Sequence, residues 1–274
     1  ARYVAENQGK LKADAALVSD TSLYAEDMPT LCTGLRGLVY MEVEARGPGR
    51  DLHSGLYGGA APNAVFGLVE LLAKAKDAEG RVVIPGFYDD VVDLTVEDRA
   101  AFARIPFDED AYVADLGVPE VFGEEGYTTR ERLWGRPTLE MNGIWGGWQG
   151  SGIKTVLPAE AHAKITCRLV PDQEPRKIVD LIAAHVMKHA PKGVTVTVTG
   201  GKGGARPYLI PYDHPANQAA HKVLTELYGA EPYYVRTGGT LPITDLFLTS
   251  LGAYTVSFAW GLNDEQVHAP NEFY

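Results

Sequence analysis

The stretch Gly47-Pro48-Gly49-Arg50-Asp51-Leu52-His53-Ser54-Gly55-Leu56-Tyr57-Gly58-Gly59 sets how the rest of the chain is read. A strand-like alternation from Gly37 to Ala45 runs into it, and a helix starting at Pro62 follows. Between them lies a loop with five glycines and one histidine. Glycine lets backbone approach a ligand or another chain closely. Loops held between rigid elements are also where site residues collect. Two readings fit: a polar turn whose histidine caps the coming helix, or a loop that presents His53 for function.

The bulk numbers narrow the choice. A chain of 274 residues makes one large domain or two ordinary ones, and 45% hydrophobic residues can fill real cores. The net charge of -11, with no basic cluster, argues against nucleic acid and against an anionic membrane surface as partners. No apolar run reaches the length of a bilayer span, and no signal peptide is evident. Cys32 and Cys167 sit in strand-like apolar context and are expected to be reduced core thiols of a cytoplasmic protein. The chain starts at Ala1 without Met and stops at Asn271-Glu272-Phe273-Tyr274, so we expect an internal piece of a longer protein.

Periodicity predicts the elements. Ala1–Leu11 has a weak helical face and Ala15–Ser19 reads as a short strand. Thr30–Ala45 alternates as one half-buried strand. Pro62–Lys76 is the clearest helix, with Phe66, Val69, Leu72 and Ala73 as its apolar stripe. Thr95–Ile105 and Phe107–Leu116 look like short acidic-capped helices. Thr155–Leu169 (interrupted at Pro158), Glu174–His189 and Gly193–Thr199 read as a strand, helix and strand forming a βαβ-like unit on one sheet. After the flexible Gly200–Ala205 come a helix (His214–Tyr228), a strand (Pro232–Val235), a helix (Leu241–Ser250) and a last strand (Ala253–Phe258). The expected class is α/β (α+β), with residues 36–206 inserted into a host made of 1–35 and 207–274.

Four groups carry chemistry. Asp20 closes the Val18-Ser19-Asp20 strand, where a carboxylate faces the ligand crevice of an α/β sheet, or serves merely as a turn or N-cap. His268 follows the last strand in a polar loop, and its plain alternative is a surface histidine. Arg168 interrupts the apolar strand Ile165–Val170. It needs an anionic partner, unless it is an edge-strand arginine facing water. Arg236-Thr237-Gly238-Gly239-Thr240 is a glycine turn opening a helix, whose free N–H groups can hold an anion. It is not a phosphate loop, because no Gly-Lys-Ser/Thr follows the glycines.

Together and in this order these segments resemble one family. VSDTSLY, GLRGLVYMEVEARGPGRDLHSGLYGGAAPNA, GSGIKTVLPAEAHAKITCRLVPDQ, VRTGGTLPITDLF and VHAPNEF look like the di-zinc metallopeptidases. That family includes carnosinase-type dipeptidases, aminoacylase and succinyl-diaminopimelate desuccinylase, and the dipeptidase branch fits best. The resemblance implies a zinc-peptidase catalytic domain carrying an inserted α/β sandwich lid that makes a homodimer. It implies that Asp20 and His268 are metal ligands and that His53 reaches into the partner's site to hold the scissile carbonyl oxygen. Thr155 and Arg168 would contact substrate, with Arg168 on the free carboxylate and Gly239 and Thr240 cradling it. Two divalent ions are implied, Zn²⁺ first, with Mn²⁺ or Co²⁺ also suited to carboxylate and imidazole ligands.

The family's His-x-Asp motif, its bridging aspartate and its Glu-Glu pair do not appear in these 274 residues, and Glu124-Glu125 lies in the inserted part. Two of five expected ligands and no base are present, so the chain alone is expected to be inactive. The activity implied for the whole protein is hydrolysis of an amide beside a free carboxylate in dipeptides or short peptides. An N-acyl amino acid deacylase, and a non-catalytic lid module used for dimerisation, are the alternatives.

Overall fold

The computed structural model describes residues 1–201, 203–258, 260–262, 265 and 270–271. Its strands are β1 (Ala15–Val18), β2 (Thr30–Leu35), β3 (Gly37–Arg46), β4 (Leu52–His53), β5 (Thr138–Gly146), β6 (Val156–Leu157), β7 (Glu160–Leu169), β8 (Thr195–Gly200), β9 (Tyr208–Leu209), β10 (Tyr233–Thr237) and β11 (Tyr254–Ser257). Its helices are α1 (Arg2–Glu6), α2 (Ser54–Tyr57), α3 (Ala64–Ala73), α4 (Val96–Arg104), α5 (Glu109–Leu116), α6 (Thr129–Gly135), α7 (Pro175–Lys188), α8 (Pro215–Tyr228) and α9 (Pro242–Leu251). This is the α/β class expected.

Two sheets organise the chain. One runs β1-β11-β2-β10, with β9 added to β2, and the other runs β5-β7-β3-β8. Each has its own apolar core, the first around Leu31, Ile210 and Leu224, the second around Val39, Val43, Leu68 and Ile178. The predicted single strand Thr30–Ala45 is in fact two strands in different sheets, separated only by Arg36. Gly37 sits where the chain changes sheets, and a Cβ there would lie 2.6 Å from the Ala205 carbonyl oxygen.

The expected βαβ-like unit is also rearranged. β7 and β8 are not neighbours, because β3 lies between them and pairs antiparallel with both. A local pattern cannot reveal a strand contributed from over a hundred residues upstream. β5, on the outer side of β7, was not expected at all.

Burial alternates along β3, with Val39, Met41, Val43 and Ala45 inward, onto α3 and α7. On α7 the stripe Ile178, Ile182 and Val186 is buried as its period requires. On α3 the predicted stripe is turned: Ala64, Gly67, Leu68, Leu71 and Leu72 face the core, whereas Phe66 and Val69 are 75% and 50% exposed. Gly67 permits the close approach, since a Cβ there would lie 2.9 Å from Val194.

The stretch from α4 to α6 leaves the second sheet and packs on β10 of the first. Asp98 accepts from Arg236 and from the Tyr212 hydroxyl (2.8 Å), and Arg130 donates to the carbonyls of Phe102 and Ile105. Glu124 pairs with Arg81 and Arg136 and is 8% exposed, so half of the Glu124-Glu125 pair is a structural anchor. No helix among the described residues is long and apolar enough to cross a membrane.

Candidate active-site cleft

A cleft of about 1260 Å³ opens between the two sheets. Asp20, Thr21 and Ser22 line it on one side, Thr30, Cys32 and Leu35 line it along β2, and Arg236 to Leu241 contribute except Gly238. Leu38 and Arg168 enter from the second sheet, and Trp134 from α6. The Thr30 hydroxyl donates to the Ser22 carbonyl (2.9 Å), tying the Asp20 segment to the start of β2. The Arg36 N–H donates to the Thr237 carbonyl (3.2 Å), tying the glycine turn to the end of β2. Five steps of strand separate those ends, roughly 17 Å.

Asp20 follows the C-terminal end of β1, exposed to the cleft, and no helix starts after it, so it is not an N-cap. Arg168 sits on β7 between β3 and β5, so the edge-strand reading fails. Its side chain lies on the face away from the second core and donates from Nη1 to Thr240 Oγ1 (2.8 Å). No ion pair among the described residues engages it. Gly239 and Thr240 precede α9, whose N-cap Leu241 makes no side-chain cap bond, leaving the helix start open toward the cleft. Four expected site residues, Asp20, Arg168, Gly239 and Thr240, therefore share one cleft. His268 lies outside the described residues.

His53 and Thr155 form a separate pair. The small β4–β6 ladder pairs His53 with Val156, and the Ser54 N–H donates to the Thr155 carbonyl (3.0 Å). Both side chains are exposed and neither lines the cleft. His53 does not cap the helix expected from Pro62, which Asn63 caps as α3; its Nδ1 accepts instead from the Gly55 N–H (3.0 Å) at the start of α2, a short helix the sequence pattern did not announce. The β3–β7 register runs from Leu38 opposite Arg168 to Arg46 opposite Glu160, just before the β4–β6 ladder. Eight steps of strand put that ladder roughly 27 Å from Arg168 along the sheet.

Cys32 and Cys167 are free and buried, as expected. Burial pushes the Cys32 thiol up to about 11, so it is no nucleophile at neutral pH despite lining the cleft. Among the described residues, the one cluster with three metal-capable groups is Glu44, Glu160 and His162. It lies on the second sheet, away from the cleft, and Arg46 already contacts both carboxylates (2.5 and 3.3 Å). Within the cleft, the donor chemistry of the open Asp20 carboxylate fits a divalent ion.

Trp134 and Arg36 were missed by sequence reasoning. Trp134 sits in a poorly patterned stretch that carries no cue. Arg36 was readable as a charge breaking the apolar run Leu31–Val39, but the single-strand reading hid it.

The peptidase dimerisation domain of the M20 family matches residues 33–194. The Cys-Gly metallodipeptidase of Schizosaccharomyces pombe is 30% identical over 95% of this chain and 55% of its own length. The human Beta-Ala-His dipeptidase is 28% identical over 94% and 52%. The crystal structure of an M20 family metallo-carboxypeptidase from Sulfolobus solfataricus superposes with a TM-score of 0.84 at 31% identity, covering 99% of this chain and 61% of that one. The chain spans about half the length of the curated relatives it matches. With more than half of its residues inside the matched domain, this chain belongs to the M20 metallopeptidase family.

Proposed function

We propose that the protein carrying this chain hydrolyses the amide bond of dipeptides or short peptides beside their free carboxylate. The observation that carries this reading is Arg168, a cation with no acidic partner among the described residues, held by Thr240 at the open start of α9 in the cleft that also contains Asp20. A substrate carboxylate supplies the missing anion, and a guanidinium fork suits it. Gly239 and Thr240 border that anion, and Asp20 with His268 supplies ligands to a divalent metal pair, Zn²⁺ first and Mn²⁺ or Co²⁺ next. When bound, such ions polarise the scissile carbonyl and lower the pKa of a bound water. The remaining ligands and the general base are assigned to residues outside this chain, so the chain alone is inactive.

The names of the relatives favour dipeptides over acyl amino acids. We divide the protein into a host (1–35 and 207–274) and an inserted lid (36–206) through which it forms a homodimer. The exposed Phe66 and Val69 on α3 support a partner copy there. The distance of His53 from Arg168 along the second sheet supports its serving the partner's cleft, with Thr155 beside it. Buried free thiols fit a reducing compartment, and the cytoplasm is the proposed location.

The test is a panel of dipeptides, their C-terminal amides and N-acyl amino acids, assayed on the complete polypeptide with Zn²⁺, Mn²⁺ and Co²⁺. Hydrolysis of free dipeptides well above the amides is expected. Preference for the acyl amino acids establishes the deacylase, and no turnover with any metal leaves the non-catalytic lid module.

A further inference from the structure

Arg36, the single residue between β2 and β3, is bound to the turn at 237–240 through three of its parts. Its N–H donates to the Thr237 carbonyl (3.2 Å), and its carbonyl accepts from the Thr240 hydroxyl (2.6 Å). Its guanidinium lies against Gly238, so close that a Cβ on Gly238 would sit 2.5 Å from Nη2. Of its own side-chain donors, Nη1 reaches the Arg136 carbonyl at 3.3 Å, and the buried Nε has no partner among the described residues. Arg168 meets the same turn through Thr240.

Two guanidiniums thus converge on one turn without an acid to neutralise them. Glu140, the acidic group that acts on Arg36, is paired with Lys76 (3.0 Å). Burial first, and the charge of Arg168 second, push Arg36 down to about 10. Positive charge held in a partly buried place without an acidic partner marks a candidate site for an anion. Arg36 does not line the cleft, so it acts through the turn rather than on substrate.

We infer that Arg36 is the positioning residue of the carboxylate subsite: it holds the turn at 237–240 from behind, and its charge, next to that of Arg168, draws the α-carboxylate of the substrate onto the Arg168 guanidinium and the turn's backbone. This rests on the reading that Arg168 takes that carboxylate. A Cβ at position 238 would require the Arg36 guanidinium to move.

The experiment uses the complete polypeptide, one dipeptide and its C-terminal amide. Arg36→Gln should raise KM for the free dipeptide about tenfold, the size expected for losing one charged interaction. It should leave kcat and the amide's KM within about twofold, so the preference for the free carboxylate drops by that factor. Arg36→Lys should recover part of it, and Gly238→Ala should reproduce the selective loss. Thermal melting checks each fold, and if Arg36→Gln does not fold, the lysine and Gly238 variants decide by the same ratio. An unchanged preference, or an equal loss on both substrates through kcat, overturns the inference. If Arg168→Lys abolishes the preference and Arg36→Gln does not, only this inference falls. If the wild type shows no preference, the carboxylate reading falls and takes the inference with it.

Discussion

Arg168 illustrates how a residue's neighbours set its chemistry. Ladder pairing on both sides, Leu38 on β3 and Thr138 on β5, forces the side chain off the plane of the sheet. Its flanking residues Cys167 and Leu169 take the buried face, so the guanidinium must project into the cleft. Losing a hydrogen bond to a charged group costs about 1.5–3 kcal/mol, or roughly 10- to 150-fold. Arg168→Lys should lower kcat/KM on a free dipeptide by an amount in that range and nearly as far as Arg168→Ala, because a point charge does not reproduce the fork. A lysine variant with the wild-type kcat/KM would remove Arg168 from the carboxylate role.

Elements are tied together by a few buried polar contacts. Asp98 completes the capping box of α4, exchanging bonds with Thr95 at 3.0 and 3.1 Å, and also meets Tyr212 and Arg236, so it joins α4 to α8's leading loop and β10. Burial by itself would raise its carboxyl. Arg236, the Thr95 N–H and the Tyr212 hydroxyl outweigh that and hold it below its ordinary 3.8. A depressed carboxyl stabilises the fold fully above its unfolded value and loses that contribution as pH falls through the folded value. Asp98→Asn leaves Arg236, 8% exposed, without its counter-charge, at about 3–5 kcal/mol. Urea midpoints measured against pH should show a wide gap between wild type and Asp98→Asn that is flat above about pH 5 and narrows as pH falls through 3.8 and below. A gap independent of pH down to 2 would mean that the charge of Asp98 does not stabilise the fold.

At the scale of the whole molecule, the placement of His53 is the decisive geometry. It sits at the end of the second sheet remote from Arg168, beside Thr155 and outside the cleft. A histidine so placed serves its own cleft poorly, whereas a two-fold partner can bring it to the other one. In the complete polypeptide, His53→Ala and Asp20→Ala should each be nearly inactive. Mixed with free subunit exchange, half of the dimers are hybrids, and each hybrid has one intact cleft served by the other chain's intact His53. Activity should return to about a quarter of wild type by that pairing arithmetic. Absence of recovery, with exchange proven by mass spectrometry, would place His53 in its own chain's chemistry or in none.

Local sequence determined the elements that obey a period and the residue types that break it. The α7 stripe, the alternation of β3, the break at Pro158 that separates β6 from β7, and the charge of Arg168 in an apolar strand were all legible, because side-chain direction follows from backbone repeat alone. Tertiary structure decided what no local window contains. It split Thr30–Ala45 between two sheets at Arg36 and threaded β3 between β7 and β8. It turned Phe66 and Val69 of α3 outward and sent the stretch from α4 to α6 across to β10. The cleft is likewise a product of assembly. Asp20, Arg168 and Thr240 lie far apart along the chain, and they face one space because pairing partners and burial, which depend on distant residues, fix where each strand ends.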